Sequence, residues 1–210
     1  MIVEPVVFCT EDAVLAKEFS ELNPKVQRAD YWSSPSLEHL RSHIKAFYIA
    51  AQKTRCCYCD RHLATDHHRM WDVEHIASRT GYPRFMFEPR NMAACCPDCN
   101  GQKGDTEVLV NKRRKTYPKT SASFSIVHPH FDRYEDHVFK RGMLYFGKTE
   151  KGKRTIYVCD LLRFAQKFID WENSATDTRF ENEVDAVLDG DARTSQAAVE
   201  AIVSTLPIKR

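Results

Sequence analysis

The chain has 210 residues, 42% hydrophobic and 29% charged, with a formal net charge of +2. That balance excludes a disordered or low-complexity chain, and it gives no overall basic field of the kind that announces a nucleic-acid binder. No apolar run approaches the roughly 20 residues that cross a bilayer, and the apolar N-terminus has acidic neighbours instead of a basic leader, so a cytoplasmic chain without membrane contact is expected. In such a compartment the eight cysteines read as metal ligands and free thiols rather than disulfides. Cys9 and Cys159 stand alone in apolar surroundings and read as buried free thiols.

The charge is unevenly spread. Lys plus Arg against Asp plus Glu runs 6 to 7 over residues 1–54, 12 to 8 over 55–120 and 13 to 14 over 121–210. The positive excess coincides with the cysteine-rich stretch.

In chain order, residues 1–10 read as a short extended segment. Val14, Leu15, Phe19 and Leu22 fall at helical spacing, and Asn23-Pro24 ends that run. Ser34-Pro35 reads as an N-cap with proline at the first helical position. The helix it opens carries Leu37, Leu40, Ile44, Phe47, Tyr48 and Ala51 on one face and delivers the chain to Arg55. His39 and His43, four apart, could share a metal, but no third ligand is evident near them and they read as rim residues. Beyond the cysteines, Lys112, Arg113, Arg114 and Lys115 form a basic run that begins nine residues after Lys103, suiting nucleic-acid contact.

Phe124–Val127, Val138-Phe139, Met143–Phe146 and Arg154–Val158 carry strand signals and suggest a small antiparallel meander. The histidine- and aspartate-rich segment His128–His137 matches no metal spacing and reads as turn-capping residues. Three apolar helical stripes follow: Leu161, Phe164, Ala165, Phe168 and Ile169; Phe180, Val184, Val187 and Leu188; Val199, Ile202, Val203 and Leu206. Asp160 to Glu200 holds ten acidic against four basic residues, a solvated face or a docking surface for a protein. The organisation expected is an N-terminal helical segment (1–54), a cysteine module (55–110), a basic loop and β-meander (111–158) and an acidic helical end (159–210), together one compact α+β unit.

The chemistry concentrates between Cys56 and Asp105. Two Cys-x-x-Cys knuckles, Cys56/Cys59 and Cys96/Cys99, offer four thiolates for a tetrahedral structural Zn²⁺. Cys57 and Cys95 are extra thiols that the spacing leaves out. Between the knuckles, Trp71–Ile76 reads as a strand that ends in the pair Glu74-His75. Asn91 lies in a return strand, and Pro97 opens a helix with Asn100 and Lys103 on one face.

This order, C-x-x-C, then [DE]-H-I, then N-x-x-x-x-C-x-x-C-N-x-x-K-G, resembles the HNH or ββα-metal endonucleases in their zinc-stapled form, over about fifty residues. The resemblance implies a ββα-metal core in which Glu74 and Asn100 hold a catalytic Mg²⁺ or Mn²⁺, His75 is the general base and Asn91 braces its loop. It also implies Lys103 near the phosphates and products with 5′-phosphate and 3′-hydroxyl ends; Arg79 and the Lys112–Lys115 run are expected on nucleic acid, DNA sooner than RNA, from their charge. Two departures stand out: Glu74 replaces the more frequent aspartate, and the proline often found two residues after the Ile is absent, with Arg79 in that neighbourhood instead. The chain's size and its helix-then-knuckle order are similar to HNH subunits of Septu-type and retron-associated anti-phage systems, which implies an ATPase partner. The alternative left open is a zinc module that binds nucleic acid or a protein partner without cutting.

Overall fold

The computed structural model describes residues 2–168 and residue 197. The chain divides into two compact units, Met1–Leu162 and Arg163–Arg210. In the first, helices and two two-stranded antiparallel sheets give an α+β fold.

Helix α1 spans Thr10–Glu21 and buries Asp12, Ala16 and Phe19. The expected apolar face is therefore only partly right, since Val14 and Leu22 are exposed. A polar contact sets the rotation instead: each oxygen of the buried Asp12 carboxylate meets one imidazole of the next helix, His39 at 3.2 Å and His43 at 3.4 Å. His39 and His43 are exposed and partly exposed, as rim residues should be, but further metal-type donors, Asp12 and Cys9, do lie near them.

Pro35 opens a 3₁₀ turn, Pro35–Leu37, and helix α2 proper begins at Glu38 and runs to Ala51. Ser34 makes no side-chain cap; its hydroxyl meets Ser36 instead. Leu37, Leu40, Ile44 and Tyr48 are fully enclosed, as their spacing requires. Just past α2, the amide of Gln52 donates to the Ala94 carbonyl and accepts from the Ala94 N–H, both at 2.7 Å. One side chain thus occupies a strand edge that would otherwise be open for pairing.

The central unit is strand, strand, helix. β1 (Asp72–His75) pairs antiparallel with β2 (Met92–Cys95), matching Asp72 with Cys95 and His75 with Met92. Helix α3 (Pro97–Lys103) follows at once, with proline at its start.

Beyond it, helix α4 (Tyr134–His137) leads into the hairpin β3 (Val138–Arg141) and β4 (Leu144–Gly147). The hairpin region grips the first cysteine knuckle. Tyr145 donates to the Cys59 carbonyl at 2.8 Å, Tyr134 to the Tyr58 carbonyl at 2.8 Å and Lys140 to the Asp60 carbonyl at 2.6 Å.

Two strand expectations fail. Phe124–Val127 makes a single bridge, from Phe124 to Leu109, rather than a strand. Arg154–Val158 belongs to helix α5 (Glu150–Val158), which Thr149 caps through its hydroxyl and which buries Gly152, Thr155, Ile156 and Val158. The cap and this spacing outweigh the β-branched run Thr155-Ile156. Gly152 is required there, because a Cβ would collide with the His137 carbonyl oxygen.

Within the His128–His137 segment the buried residues satisfy interior partners. His128 meets the Tyr117 hydroxyl at 2.9 Å, His130 meets the Met92 carbonyl at 2.8 Å, and Asp132 pairs with Lys151. Cys159 is buried as expected, whereas Cys9 is only half-buried.

Within the second unit the described residues form helix α6 (Arg163–Phe168). The stripes expected after Phe168, and most of the acidic region, lie outside the described residues.

Candidate metal centre and cleft

Cys56, Cys59, Cys96 and Cys99 are all buried, and their sulfurs lie within 4.8 Å of one another. Four thiolates around Zn²⁺ stand about 3.8 Å apart, given Zn–S bonds of about 2.3 Å. The donor set therefore fits a structural zinc ion. Burial works against charge on Cys56, yet hydrogen bonds from the neighbouring thiols hold it well below the ordinary thiol range. The same contacts push Cys99 and Cys59 far up. A divalent cation bound there would hold all four as thiolates. Cys57 and Cys95 stay outside this cluster. Burial raises both, Cys95 to about 12, and each thiol contacts the other.

The polar residues of β1 and α3 meet as two rungs. Side chains two apart on a strand share a face, and residues three apart on a helix share one. Asp72 and Glu74 therefore face Asn100 and Lys103. In the outer rung, Asn100 Nδ2 donates to Asp72 Oδ2 at 2.9 Å. In the inner rung, Lys103 Nζ lies 2.6 Å from Glu74 Oε1. Tyr58 also donates to Glu74 Oε1 at 2.8 Å, and Lys103 donates to the His75 carbonyl at 3.1 Å.

Glu74 is 3% exposed and Lys103 only 1%. Burial lifts the Glu74 carboxyl above its ordinary range, while Lys103 and then Tyr58 pull it back. Lys103 consequently does not stand at a phosphate-facing surface, contrary to expectation: its short helix packs flat on β1 and aims the ammonium inward. Glu74 likewise has its charge met from within. The carboxylate that reaches open space is Asp72, which sequence reading passed over although a period of two from Glu74 would have found it.

Asp72, Val73 and Asn100 line a half-open cleft of about 290 Å³ with Trp32, Glu38, Arg41, Lys45, His68 and Arg79. Arg79 lies over the Trp32 ring, 5.9 Å from its centroid, and donates to the Ala29 carbonyl at 3.1 Å. Arg41 is held by the carbonyls of Trp32 and Ser34. Of the basic residues expected to contact nucleic acid, Arg79 alone lines this cleft. Lys112, Arg113 and Lys115 are exposed in a loop elsewhere, and Arg114 is partly turned in, meeting Ser123. Arg41 and Lys45 escaped sequence reading because α2 brings them to the site only through tertiary packing.

His75 points away from Glu74, as strand alternation dictates. Its ring stands edge-on to Trp32, 4.5 Å between centroids, and its Nε2 lies 3.0 Å from the Met86 carbonyl. A carbonyl only accepts, so Nε2 carries the hydrogen and the neutral ring keeps its lone pair on Nδ1. Burial first, and then the charge of Arg79, lower its pKa to about 3, so the ring is neutral at ordinary pH.

Asn91 is wholly buried in the 3₁₀ turn that leads into β2. Its side chain accepts from the Ala77 N–H at 2.8 Å and donates to the Ala77 and Phe85 carbonyls, both at 3.0 Å. It thereby ties the segment after His75 to the segment before Met86, the residue whose carbonyl orients the imidazole.

Among the described residues, no helix is long and apolar enough to cross a membrane. No family model matches the chain, and no solved structure matches it. Among curated proteins the chain is similar to the Septu protein PtuB of Bacillus thuringiensis, 27% identical over 157 residues. Those residues are 75% of this chain and 51% of PtuB, so the chain spans about half the length of the curated relative it matches.

Proposed function

We propose that the chain is a metal-dependent endonuclease of the HNH type, the nuclease effector of a Septu-related anti-phage defence system acting on DNA in the cytoplasm. The similarity to PtuB supports the defence role. Two observations support the chemistry: an acid–amide rung that opens on a cleft with a basic wall, and a neutral, oriented imidazole buried next to that cleft, edge-on to the Trp32 ring that lines it.

The donors at the cleft, a carboxylate and an amide oxygen, suit a hard cation such as Mg²⁺ or Mn²⁺. Asn100 spends its amide nitrogen on Asp72, which leaves its oxygen free, and we assign the ion to Asp72 and Asn100 with Glu74 behind them. Bound there, the cation would neutralise charge developing on a phosphoryl oxygen and on the leaving 3′ oxygen.

The remaining work falls to the protein. His75 Nδ1 takes the proton of the attacking water. The charge of Arg79 suppresses the basicity of that imidazole, and a phosphate lying against Arg79 would offset part of that effect. Arg41 and Lys45 add positive charge along the same wall, and Asn91 and Met86 fix the ring. Lys103 acts through Glu74 and the His75 carbonyl as a strut. The Lys112–Lys115 loop serves as a secondary contact for the nucleic-acid backbone, and the partner is an ATPase subunit.

Incubating the purified protein with supercoiled plasmid and Mg²⁺ or Mn²⁺ tests this reading. Wild type should nick or cut, chelation should stop it, and His75→Ala should lower the rate by about 100-fold or more while still binding DNA. Equal products from wild type and His75→Ala would remove His75 from the mechanism and favour a zinc module that only binds.

A further inference from the structure

We propose a second transition-metal site, separate from the four cysteines and the cleft, formed by Cys9, Asp12, His39 and His43 where the start of α1 meets the N-terminal part of α2. Metal-type donors converge there from two helices. The sulfur of Cys9, a carboxylate oxygen of Asp12 and a ring nitrogen of His39 lie within 4.8 Å of one another. His43 stands beside this trio, its Nδ1 3.4 Å from the second oxygen of Asp12, and completes the set by a small side-chain rotation. In a tetrahedral zinc site with bonds of about 2.0–2.1 Å, neighbouring nitrogen and oxygen ligands stand about 3.4 Å apart. The observed separations of 3.2 and 3.4 Å are already of that size.

The surroundings favour an ion over a bare hydrogen-bonded clamp. Asp12 is 2% exposed, and no Lys or Arg pairs with it among the described residues. A buried carboxylate is ordinarily paired with a cation, and among the described residues Asp12 meets two imidazoles and a thiol instead. His39 and His43 sit four residues apart on one face of α2, the helical spacing that lets two imidazoles share an ion. His39 is exposed and His43 half-buried, so an ion reaches the site from solvent. A thiolate, a carboxylate and imidazoles together suit Zn²⁺ or Co²⁺ and not Mg²⁺. Binding proceeds without redox chemistry. The Cys9 thiol gives its proton to solvent, and each ligating imidazole carries its remaining hydrogen on Nε2, freeing Nδ1.

Metal content tests the proposal. Protein equilibrated with micromolar Zn²⁺ and desalted should carry two zinc ions per chain, against one for His39→Gln/His43→Gln. The glutamines can still hydrogen-bond to Asp12, so this variant should keep the wild-type circular dichroism spectrum. Co²⁺ added to protein holding one zinc per chain should give tetrahedral d–d bands together with a thiolate charge-transfer band. Cys9→Ser should lose the charge-transfer band and keep the d–d bands. One zinc per chain in wild type, or two in both wild type and the histidine variant, would overturn the proposal. So would a cobalt spectrum that Cys9→Ser leaves unchanged.

Discussion

Two neighbouring rungs join β1 to α3, and they differ in everything but position. The inner rung, Glu74 with Lys103, is enclosed, mutually neutralised and further satisfied by Tyr58. The outer rung, Asp72 with Asn100, opens on a cleft walled by Arg41, Lys45 and Arg79. On the function proposed above, the inner rung carries stability and the outer rung carries chemistry. The cysteine cluster extends the contrast, since a structural metal site closes its coordination and a catalytic one keeps a position open.

The contrast is tested most severely by removing its anchor. Cys99→Ser, or stripping the cysteine-bound ion with a strong chelator, should abolish the cooperative thermal transition of the first unit, because structural zinc contributes on the order of 10 kcal/mol to small modules. Next comes the inner rung. Lys103→Ala leaves a buried carboxylate without its cation and should cost about 3–5 kcal/mol in urea unfolding. A loss below about 1 kcal/mol would mean that the rung is not the strut described here.

A pH titration probes the support of β2, where His130 meets the Met92 carbonyl. Burial is the main reason its pKa falls to about 4. The unfolded chain protonates this group near 6.5 and the folded chain only near 4, so stability is complete above about pH 6.5. It declines as the pH falls toward 4, by up to about 3 kcal/mol. Burial pushes His128 well down too, adding loss of the same sign. His130→Gln should remove only its own share of this slope in denaturant midpoints measured across pH, because buried His75 and His128 lose stability with the same sign.

Asn91→Ala strands the Ala77 N–H and the Ala77 and Phe85 carbonyls, and should cost about 1–3 kcal/mol. Because Asn91 also fixes the loop that holds His75, cleavage should fall more than stability does. The comparison is made by assaying well below the melting temperature.

Much of this arrangement is legible in the sequence because its ligands are local. Each Cys-x-x-Cys knuckle is a single turn, and Glu74-His75, Asn91 and Pro97 mark the two strands and the helix in order. The roles along α3 are harder to read. Lys103 looks like a phosphate contact until the alternation of β1 is laid beside the spacing of α3, which pairs it with Glu74 and leaves Asp72 for the cleft. Trp32, Arg41 and Lys45 come from a preceding turn and helix, and no local pattern announces them. The α5 helix misleads because Thr155-Ile156 favours a strand by propensity, whereas the Thr149 cap and its tertiary packing decide otherwise. Asp12 is the converse case, a charged residue on the buried face of α1 whose partners lie 27 and 31 residues away.

The most direct test of the central claim is the Mg²⁺-dependent plasmid cleavage rate of Asp72→Asn, measured beside its thermal midpoint. The account predicts a rate lowered by about 100-fold or more with stability within about 1 kcal/mol of wild type, since the outer rung is solvent-facing and acts through the ion. An Asp72→Asn protein that cuts at the wild-type rate would contradict it.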